Sequence, residues 1–341
     1  GNTLESLKNY TGALKYLDKA LAIDPNDTDS LTVKGVVFYD LKNYTESIRY
    51  YNKALAIDPN NVNALTNKGL VFDDLGNHTE AIRYYNKVLA IDPNNVDVLN
   101  NKGNTLDDLG NHTEAIRYYN KVLAIDPNNV DALTNKGNAF YSLGKYSNAL
   151  IPYDKVLALN PYDIDALNNK ANTLGKLGKN LEAIQYYKKA IKLLQSNHSS
   201  NVSAIYYNET PKAQSLYIFV SEDLGSSTQF IQAAASANSG QVQKIILIKL
   251  NLAYQYKSIK EFKLAVIAFT DILHEDPYNG CALLGRADAL MKSGQPDQAA
   301  KDEKIGNMLK PTCSIGGANV QKPSQPSQPD IVATLAGALL H

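Results

Sequence analysis

Apolar residues recur at helical spacing in short segments that polar turns separate. In residues 62–95, Leu65 and Phe72 are two helical turns apart, and a second apolar series follows a polar break. Gly76 in that break predicts the end of the first helix, and Thr79 predicts the start of the second. The segment therefore predicts two amphipathic helices joined by a tight turn.

This pattern recurs along the chain at a strict step of 34 residues. A proline that follows Asp or Asn marks the step, at Pro25, Pro59, Pro93, Pro127 and Pro161. With residue 62 as position 1 of a repeat, position 8 holds Gly35, Gly69, Gly103 and Gly137. Position 24 holds Tyr51, Tyr85, Tyr119 and Tyr153. Because one hairpin cannot bury its own apolar face, we expect the repeats to stack on one another.

The 34-residue step, the small residues at position 8 and the closing proline resemble the tetratricopeptide-repeat family. The resemblance implies an all-α solenoid, a right-handed superhelix of about 7 to 9 helical hairpins. It also implies that the first helix of each repeat lines a concave groove. The nearly identical, Asn-rich repeats look prokaryotic or archaeal.

The periodicity predicts five parts along the chain. Residues 1–195 hold repeats one to six, the first of them incomplete, and residues 196–245 form an insert with a degenerate repeat. Residues 246–313 resume the repeats. A linker rich in Pro, Ser and Gln follows at 314–330, and an apolar tail helix at 331–341.

Asparagines line the predicted groove at two positions of the repeat. We call them the asparagine ladder, which comprises Asn67, Asn101, Asn104, Asn135, Asn138, Asn169 and Asn172. An amide both donates and accepts hydrogen bonds, so spaced asparagines can bind the backbone of an extended peptide. The ladder resembles the one in the repeat domain of O-linked N-acetylglucosamine transferase. The alternative is that duplication copied one solvated residue several times.

Other polar positions do not predict a binding role. Position 2 is acidic, at Asp29, Asp97, Asp131 and Asp165, which disfavours the basic clamp that some family members use for chaperone tails. Position 7 is basic, and we expect these side chains to reach past the partner helix to solvent. They are Lys34, Lys68, Lys102, Lys136 and Lys170. The pairs Asp73–Asp74 and Asp107–Asp108 are interpreted as solvated helix faces, and His78 and His112 as turn residues.

Composition and motifs argue against several classes of function. Lys and Arg together number 34 and so do Asp and Glu, without the basic stripe that nucleic-acid binding needs. The longest apolar runs, such as 245–252, are shorter than the roughly 20 residues that span a bilayer. The sequence shows no nucleophile motif, phosphate loop or metal-ligand spacing. We therefore predict no enzyme, cofactor, metal, nucleic-acid partner or membrane span.

Eight glycosylation sequons and two cysteines favour an exported protein. The sequons begin at Asn9, Asn26, Asn43, Asn77, Asn111, Asn197, Asn201 and Asn208. Four of them fall in the turn predicted between the two helices of a repeat, although abundance of Asn and duplication also account for part of this. Cys281 and Cys313 flank the last hairpin, so they form either a disulfide or two free thiols. We expect an extracellular or cell-surface location, with the cytoplasm as the alternative.

Two non-enzymatic functions follow from these features. The leading hypothesis is a structural subunit that joins other copies head to tail into an extracellular filament, through its uncapped first repeat and its tail. The tail residues are Ile331, Val332, Leu335, Leu339 and Leu340. The alternative is a monomeric adaptor that binds an extended peptide along the asparagine ladder. A regulatory domain of a longer enzyme is a third, weaker interpretation.

Overall fold

The computed structural model describes residues 2–206, 227–309 and Cys313, with side chains described from residue 10 to 196, from 242 to 309 and at Cys313. These residues form fifteen α-helices and no strand. The helices are α1 (Asn2–Ile23), α2 (Thr28–Asp40), α3 (Tyr44–Ile57), α4 (Val62–Asp74), α5 (His78–Ile91), α6 (Val96–Asp108), α7 (His112–Ile125), α8 (Val130–Ser142), α9 (Tyr146–Leu159), α10 (Ile164–Lys176), α11 (Asn180–Tyr206), α12 (Ser227–Ser258), α13 (Phe262–Glu275), α14 (Gly280–Lys292) and α15 (Pro296–Met308). The prediction of an all-α fold is confirmed.

Consecutive helices pack as hairpins, and the hairpins stack into a solenoid. From α2 to α14, each even-numbered helix contacts the next even-numbered helix as well as its hairpin partner. The odd-numbered helices show no corresponding series of contacts with one another within the described part of the chain. The first helices of the repeats therefore lie closer together than the second helices, and they form the concave side of the stack.

Side-chain caps define where each helix begins. Asn61 at position 34 caps α4 by accepting a hydrogen bond from the backbone N of Ala64, at 2.9 Å. Asn77 caps α5 by accepting from the backbone N of Glu80, at 3.3 Å. The second helix therefore begins at His78, and the prediction of Thr79 as its opening residue is wrong because the Asn77 amide provides the cap.

Acidic residues near the end of a first helix bracket the turn that follows. The Asp73 carboxylate lies 2.7 Å from His78 Nδ1, and Asp107 lies 2.7 Å from His112 Nδ1. Asp74 accepts a hydrogen bond of 2.8 Å from the Tyr39 hydroxyl of the preceding repeat. Asp74 and Asp108 are exposed as predicted, whereas Asp73 and Asp107 are half-buried. Solvation alone does not describe these carboxylates, because Asp73 and Asp107 join the two helices of a repeat and Asp74 joins two successive repeats.

A close contact between glycine and tyrosine fixes the spacing of the two helices in a repeat. A Cβ at Gly103 would lie 2.6 Å from the ring edge of Tyr119, and the equivalent glycines at 35, 69 and 137 meet their tyrosines in the same way. The Tyr119 side chain is only 1% exposed, so its ring has little room to move away. In the sixth repeat Ala171 stands at position 8, so the neighbours there accommodate one methyl group.

The position 7 lysines join neighbouring repeats. Lys34, Lys68 and Lys102 are only 6–8% exposed, so the prediction that they reach solvent is wrong. Lys102 Nζ donates to the Tyr118 hydroxyl at 2.6 Å, lies 4.4 Å from the centre of that ring, and also donates to Asn86 of the preceding repeat. Lys34, Lys68 and Lys170 make the equivalent contacts with an Asp or Asn of the preceding repeat and with a tyrosine ring of their own.

Lys136 is the exception in this series. Its repeat has Pro152 where the others have the tyrosine, and no hydrogen bond or ion pair to a described residue reaches its amino group. Burial and repulsion from Lys155 lower the pKa of Lys136. By contrast, hydrogen bonds to Asp154 and Tyr186 outweigh burial and raise the pKa of Lys170. A lysine at position 7 therefore stabilises the repeat boundary at Lys170 and weakens the one at Lys136.

The stack continues after the segment that interrupts the repeats. The C-terminal half of α12 packs against α10 and α11 in one apolar core that includes Leu174, Tyr187 and Ile248. Asn251 on α12 donates a hydrogen bond of 3.2 Å to Asn168 on α10. The boundary predicted between residues 245 and 246 falls inside this continuous helix.

The first segment of the chain also differs from its prediction. The repeat pattern predicts a turn near Asn9, but α1 runs without a break from Asn2 to Ile23. Asn9 therefore lies within a helix and not in an inter-helix turn.

Replacing Gly103 with Ala tests the glycine contact. We expect Gly103→Ala to lower the free energy of unfolding by about 1–3 kcal/mol, because the added methyl meets the buried Tyr119 ring. Gly12→Ala is the matched control, since nothing lies within 4 Å of a Cβ there. The control should be neutral or slightly stabilising because Ala favours helix. Chemical denaturation measures both, and equal effects would contradict the contact.

Replacing lysine with methionine at position 7 should have opposite effects in two repeats. Lys102→Met should destabilise the protein by about 1 kcal/mol or more, because Asn86 and Tyr118 lose a charged donor. Lys136→Met should stabilise it at neutral pH, because it removes a half-buried charge that has no partner. This gain should shrink as the pH rises through the lowered pKa of Lys136, where the wild-type amine becomes neutral. Thermal unfolding measures both variants, and destabilisation by Lys136→Met would contradict the assignment.

Candidate peptide-binding groove

The concave side holds an open groove across three repeats. It spans α4, α6 and α8, is open along its length and has a volume of about 630 Å³. Four members of the asparagine ladder line it, namely Asn67, Asn101, Asn104 and Asn135. The first helices thus bring together on one surface the amides that the sequence spacing predicts to lie there.

Hydrogen bonds inside the protein hold several of these amides in place. Asn104 Oδ1 accepts from the Tyr119 hydroxyl at 2.9 Å and from Nδ2 of Asn135, one repeat further on, also at 2.9 Å. Asn138 Oδ1 accepts in the same way from Tyr153 at 2.7 Å and from Asn169 at 3.2 Å. Burial raises the pKa of Tyr119 and that of Tyr153, so both hydroxyls stay protonated and donate.

This bonding decides which amide atoms remain available to a ligand. At position 9, Asn104 and Asn138 use their oxygens internally and keep Nδ2 as a donor. At position 6, Asn135 and Asn169 use Nδ2 and keep the oxygen as an acceptor. The ladder therefore presents a regular series of donors and acceptors along the groove. The interpretation that its residues are merely copied and solvated does not account for these bonds.

The ladder is less constrained at its N-terminal end. Asn67 and Asn101 have no asparagine at position 9 of the preceding repeat, where Val36 and Leu70 stand instead. Their side-chain amides therefore bond to no described residue and remain fully available. The same change leaves the buried Tyr85 hydroxyl without a hydrogen-bond partner in the described structure, since Leu70 cannot accept from it.

The ladder continues to the last repeat before the insert. Asn172 Oδ1 accepts a hydrogen bond of 2.5 Å from the Tyr187 hydroxyl. The sequence analysis notes the position 24 tyrosines as a recurring feature but does not identify them as supports of the groove. A sequence signal for this role exists, because each repeat in which the position 24 tyrosine hydroxyl donates to a side chain has Asn at position 9.

The groove is acidic between residues 62 and 135. Asp97 and Asp131 line it, both exposed, and its lining contains no Lys or Arg. A basic clamp for a terminal carboxylate is therefore absent from this part of the groove. A segment that carries Lys or Arg would complement the two carboxylates.

Three sequon asparagines lie at exposed helix starts. Asn43, Asn77 and Asn111 each cap a second helix through the side-chain oxygen, which leaves the nitrogen that would carry a glycan free of described partners. Asn26 is exposed in the turn before α2. Asn197 and Asn201 lie within α11, and Asn208 lies outside the described residues.

The two cysteines are joined across the last hairpin. Cys281 at the start of α14 and Cys313 after α15 have Cα atoms 5.5 Å apart and are disulfide-bonded. The predicted assembly tail, residues 331–341, lies outside the described residues. None of the described helices is long and apolar enough to cross a membrane.

Sequence comparison decides the family. Profiles of the tetratricopeptide repeat match residues 1–27, 27–94, 96–129, 130–163 and 164–197, which together cover more than half of the 341 residues. This chain belongs to the tetratricopeptide-repeat family. No curated protein sequence matches it.

Solved structures show the same fold. A tetratricopeptide repeat protein from Parabacteroides merdae matches 92% of this chain and 98% of its own, with a TM-score of 0.55 and 17% identity. PilW, a type IV pilus biogenesis factor, matches 75% of this chain and 96% of its own, with a TM-score of 0.55 and 18% identity. PilF of Pseudomonas aeruginosa matches 76% and 97%, with a TM-score of 0.52 and 19% identity.

Proposed function

We propose that this tetratricopeptide-repeat protein is a non-enzymatic scaffold that binds an extended segment of a partner protein in its concave groove. The observation that carries the proposal is the internal bonding of the asparagine ladder. Tyr119 and Tyr153 orient the position 9 amides, so the free donors and acceptors are held before any ligand arrives. Such preorganisation reduces the entropy that binding must overcome.

An extended peptide suits this arrangement. Its backbone offers an N–H and a C=O at each residue, so free Nδ2 groups at position 9 and free oxygens at position 6 can pair with it. Backbone pairing depends little on the side chains of the ligand. Selectivity would come from charge, since Asp97 and Asp131 favour a basic segment in this part of the groove.

Removing the two unconstrained amides tests this function. We expect the double variant Asn67→Ala/Asn101→Ala to bind a groove peptide about 30-fold more weakly, since two hydrogen bonds of about 1 kcal/mol each are lost. The fold should be unaffected, because neither side chain bonds to a described residue. The peptide is selected from a random displayed library on the wild-type protein, and fluorescence anisotropy measures its affinity.

A matched double variant provides the control. Asn94→Ala/Asn128→Ala removes two exposed amides in the turns between repeats, away from the groove lining. It should leave the affinity unchanged within about twofold. Equal weakening by both double variants, or by neither, would contradict binding along the ladder.

Head-to-tail assembly into an extracellular filament is the second candidate. The exposed sequon asparagines and the bond between Cys281 and Cys313 support export, which this function requires. We prefer the groove proposal because the residues of the groove contact one another in the structure, whereas the tail that would join copies lies outside the described residues. Negative-stain microscopy of native-source protein, with and without residues 330–341, distinguishes the two: filaments lost on deletion support assembly, and monomers in both samples exclude it.

We also propose that the protein is exported and carries glycans on its exposed sequon asparagines. The free Nδ2 groups of Asn43, Asn77 and Asn111 support modification without loss of packing. Glycopeptide mass spectrometry of native-source protein would detect sugars on these residues. Unmodified peptides at all three positions would contradict it.

A further inference from the structure

A second cavity lies where the repeats resume after the insert. It is formed by α8, α10, α11, α12 and α14 and has a volume of about 420 Å³. Its lining includes the side chains of Asn172, Lys176, Tyr187, Tyr254, Lys257 and Lys292. Because Asn172 belongs to the asparagine ladder, the cavity continues the concave groove towards the C-terminal repeats.

The charge of this cavity is opposite to that of the groove between residues 62 and 135. Lys176, Lys257 and Lys292 line it, without a carboxylate in the lining. Asp288 lies beside it, 2.9 Å from Lys257 Nζ and 3.0 Å from Lys292 Nζ. Three lysines against one aspartate leave two positive charges in excess, and Lys176 has no ion-pair partner among the described residues.

A change of charge also runs along positions 12 and 13 of the repeat, near the end of the first helices, whereas Asp97 and Asp131 stand at position 2. Positions 12 and 13 are acidic in the repeats that begin at 62 and 96, as Asp73, Asp74, Asp107 and Asp108. In the later repeats the same positions supply Lys176, Lys257 and Lys292. A single extended ligand would therefore meet negative charge at one end and positive charge at the other.

The cavity walls are suited to a short acidic side chain or chain end. The hydroxyls of Tyr187 and Tyr254 are bonded to Asn172 Oδ1 and to the Cys281 carbonyl, so their rings provide the apolar wall. The Asn172 amide keeps Nδ2 as a donor beside the lysines. A Cβ at Gly175 would lie 2.6 Å from Gln255 Oε1, so glycine lets the Gln255 side chain pack against this wall.

We propose that this cavity binds a carboxylate of the partner segment, either an acidic side chain or the C-terminal carboxylate. The inference rests on the proposed function, because the segment reaches the cavity along the groove. Lysine ammonium groups and a free amide donor are the groups that bind a carboxylate through charge-assisted hydrogen bonds. The structure thus assigns a polarity to the ligand, with basic residues over Asp97 and Asp131 and the acidic group at the cavity.

Three fluorescein-labelled peptides test the proposal on the full chain. All share the sequence Gly-Asn-Gly-Ser repeated three times. The first ends in Glu-Glu with a free carboxylate, the second in amidated Glu-Glu, and the third in amidated Gln-Gln. We expect the first peptide to bind about tenfold more tightly than the third, as measured by anisotropy at low salt. The second peptide distinguishes the sources: affinity like the first indicates the side chains, and affinity like the third indicates the chain end.

Charge-reversal variants locate the binding. Lys176→Glu should abolish the advantage of the first peptide over the third. Lys189→Glu is the matched control, since Lys189 is also exposed, changes the net charge equally and does not line the cavity. Equal affinity of all three peptides for the wild type, or equal losses in both variants, would overturn the proposal.

The same titrations separate this proposal from the function on which it rests. If the third peptide binds as tightly as the first, and the Asn67→Ala/Asn101→Ala variant weakens that binding, the groove proposal stands and the carboxylate site is rejected. If only the first peptide binds, and those substitutions do not change its affinity, the carboxylate site stands and binding along the ladder is rejected.

Discussion

The close approach of two helices at a glycine is the constraint on which the rest of the structure depends. At Gly103 the absence of a Cβ lets the Tyr119 ring fill the space between the helices of one repeat. The hydroxyl of that ring then reaches Asn104 on the groove surface. One side chain therefore sets the helix spacing and orients the binding amide, so packing and recognition cannot vary independently in these repeats.

Two polar networks join successive repeats. Position 6 and position 9 amides connect the first helices, as Asn135 does with Asn104. Position 7 lysines instead connect a first helix to the second helix of the preceding repeat, as Lys102 does with Asn86. Because each network acts between nearest neighbours, a local change such as Pro152 affects one boundary and leaves the stack intact.

Repetition made much of the fold and part of the site predictable. The 34-residue step predicts the hairpins, and it predicts that the asparagine ladder lies on one surface. It could not reveal how the amides are bonded, because those bonds depend on Tyr119 and its equivalents in a different helix. The start of α12 before residue 246 and the basic cavity were not predicted, because the insert breaks the 34-residue step and gives no spacing from which to place Lys257 beside Lys176. The burial of the position 7 lysines was not predicted, because a charged side chain is expected in solvent unless its partners, here a tyrosine, are known.

Nuclear magnetic resonance of the asparagine side-chain amides in selectively labelled protein is the most direct test of peptide binding along the ladder. A bound groove peptide should shift the Nδ2 resonances of Asn101, Asn104 and Asn138 and slow their hydrogen exchange. The turn amides of Asn94 and Asn128 should not change. Shifts confined to the turns, or ladder amides that exchange at the same rate with and without peptide, would contradict it.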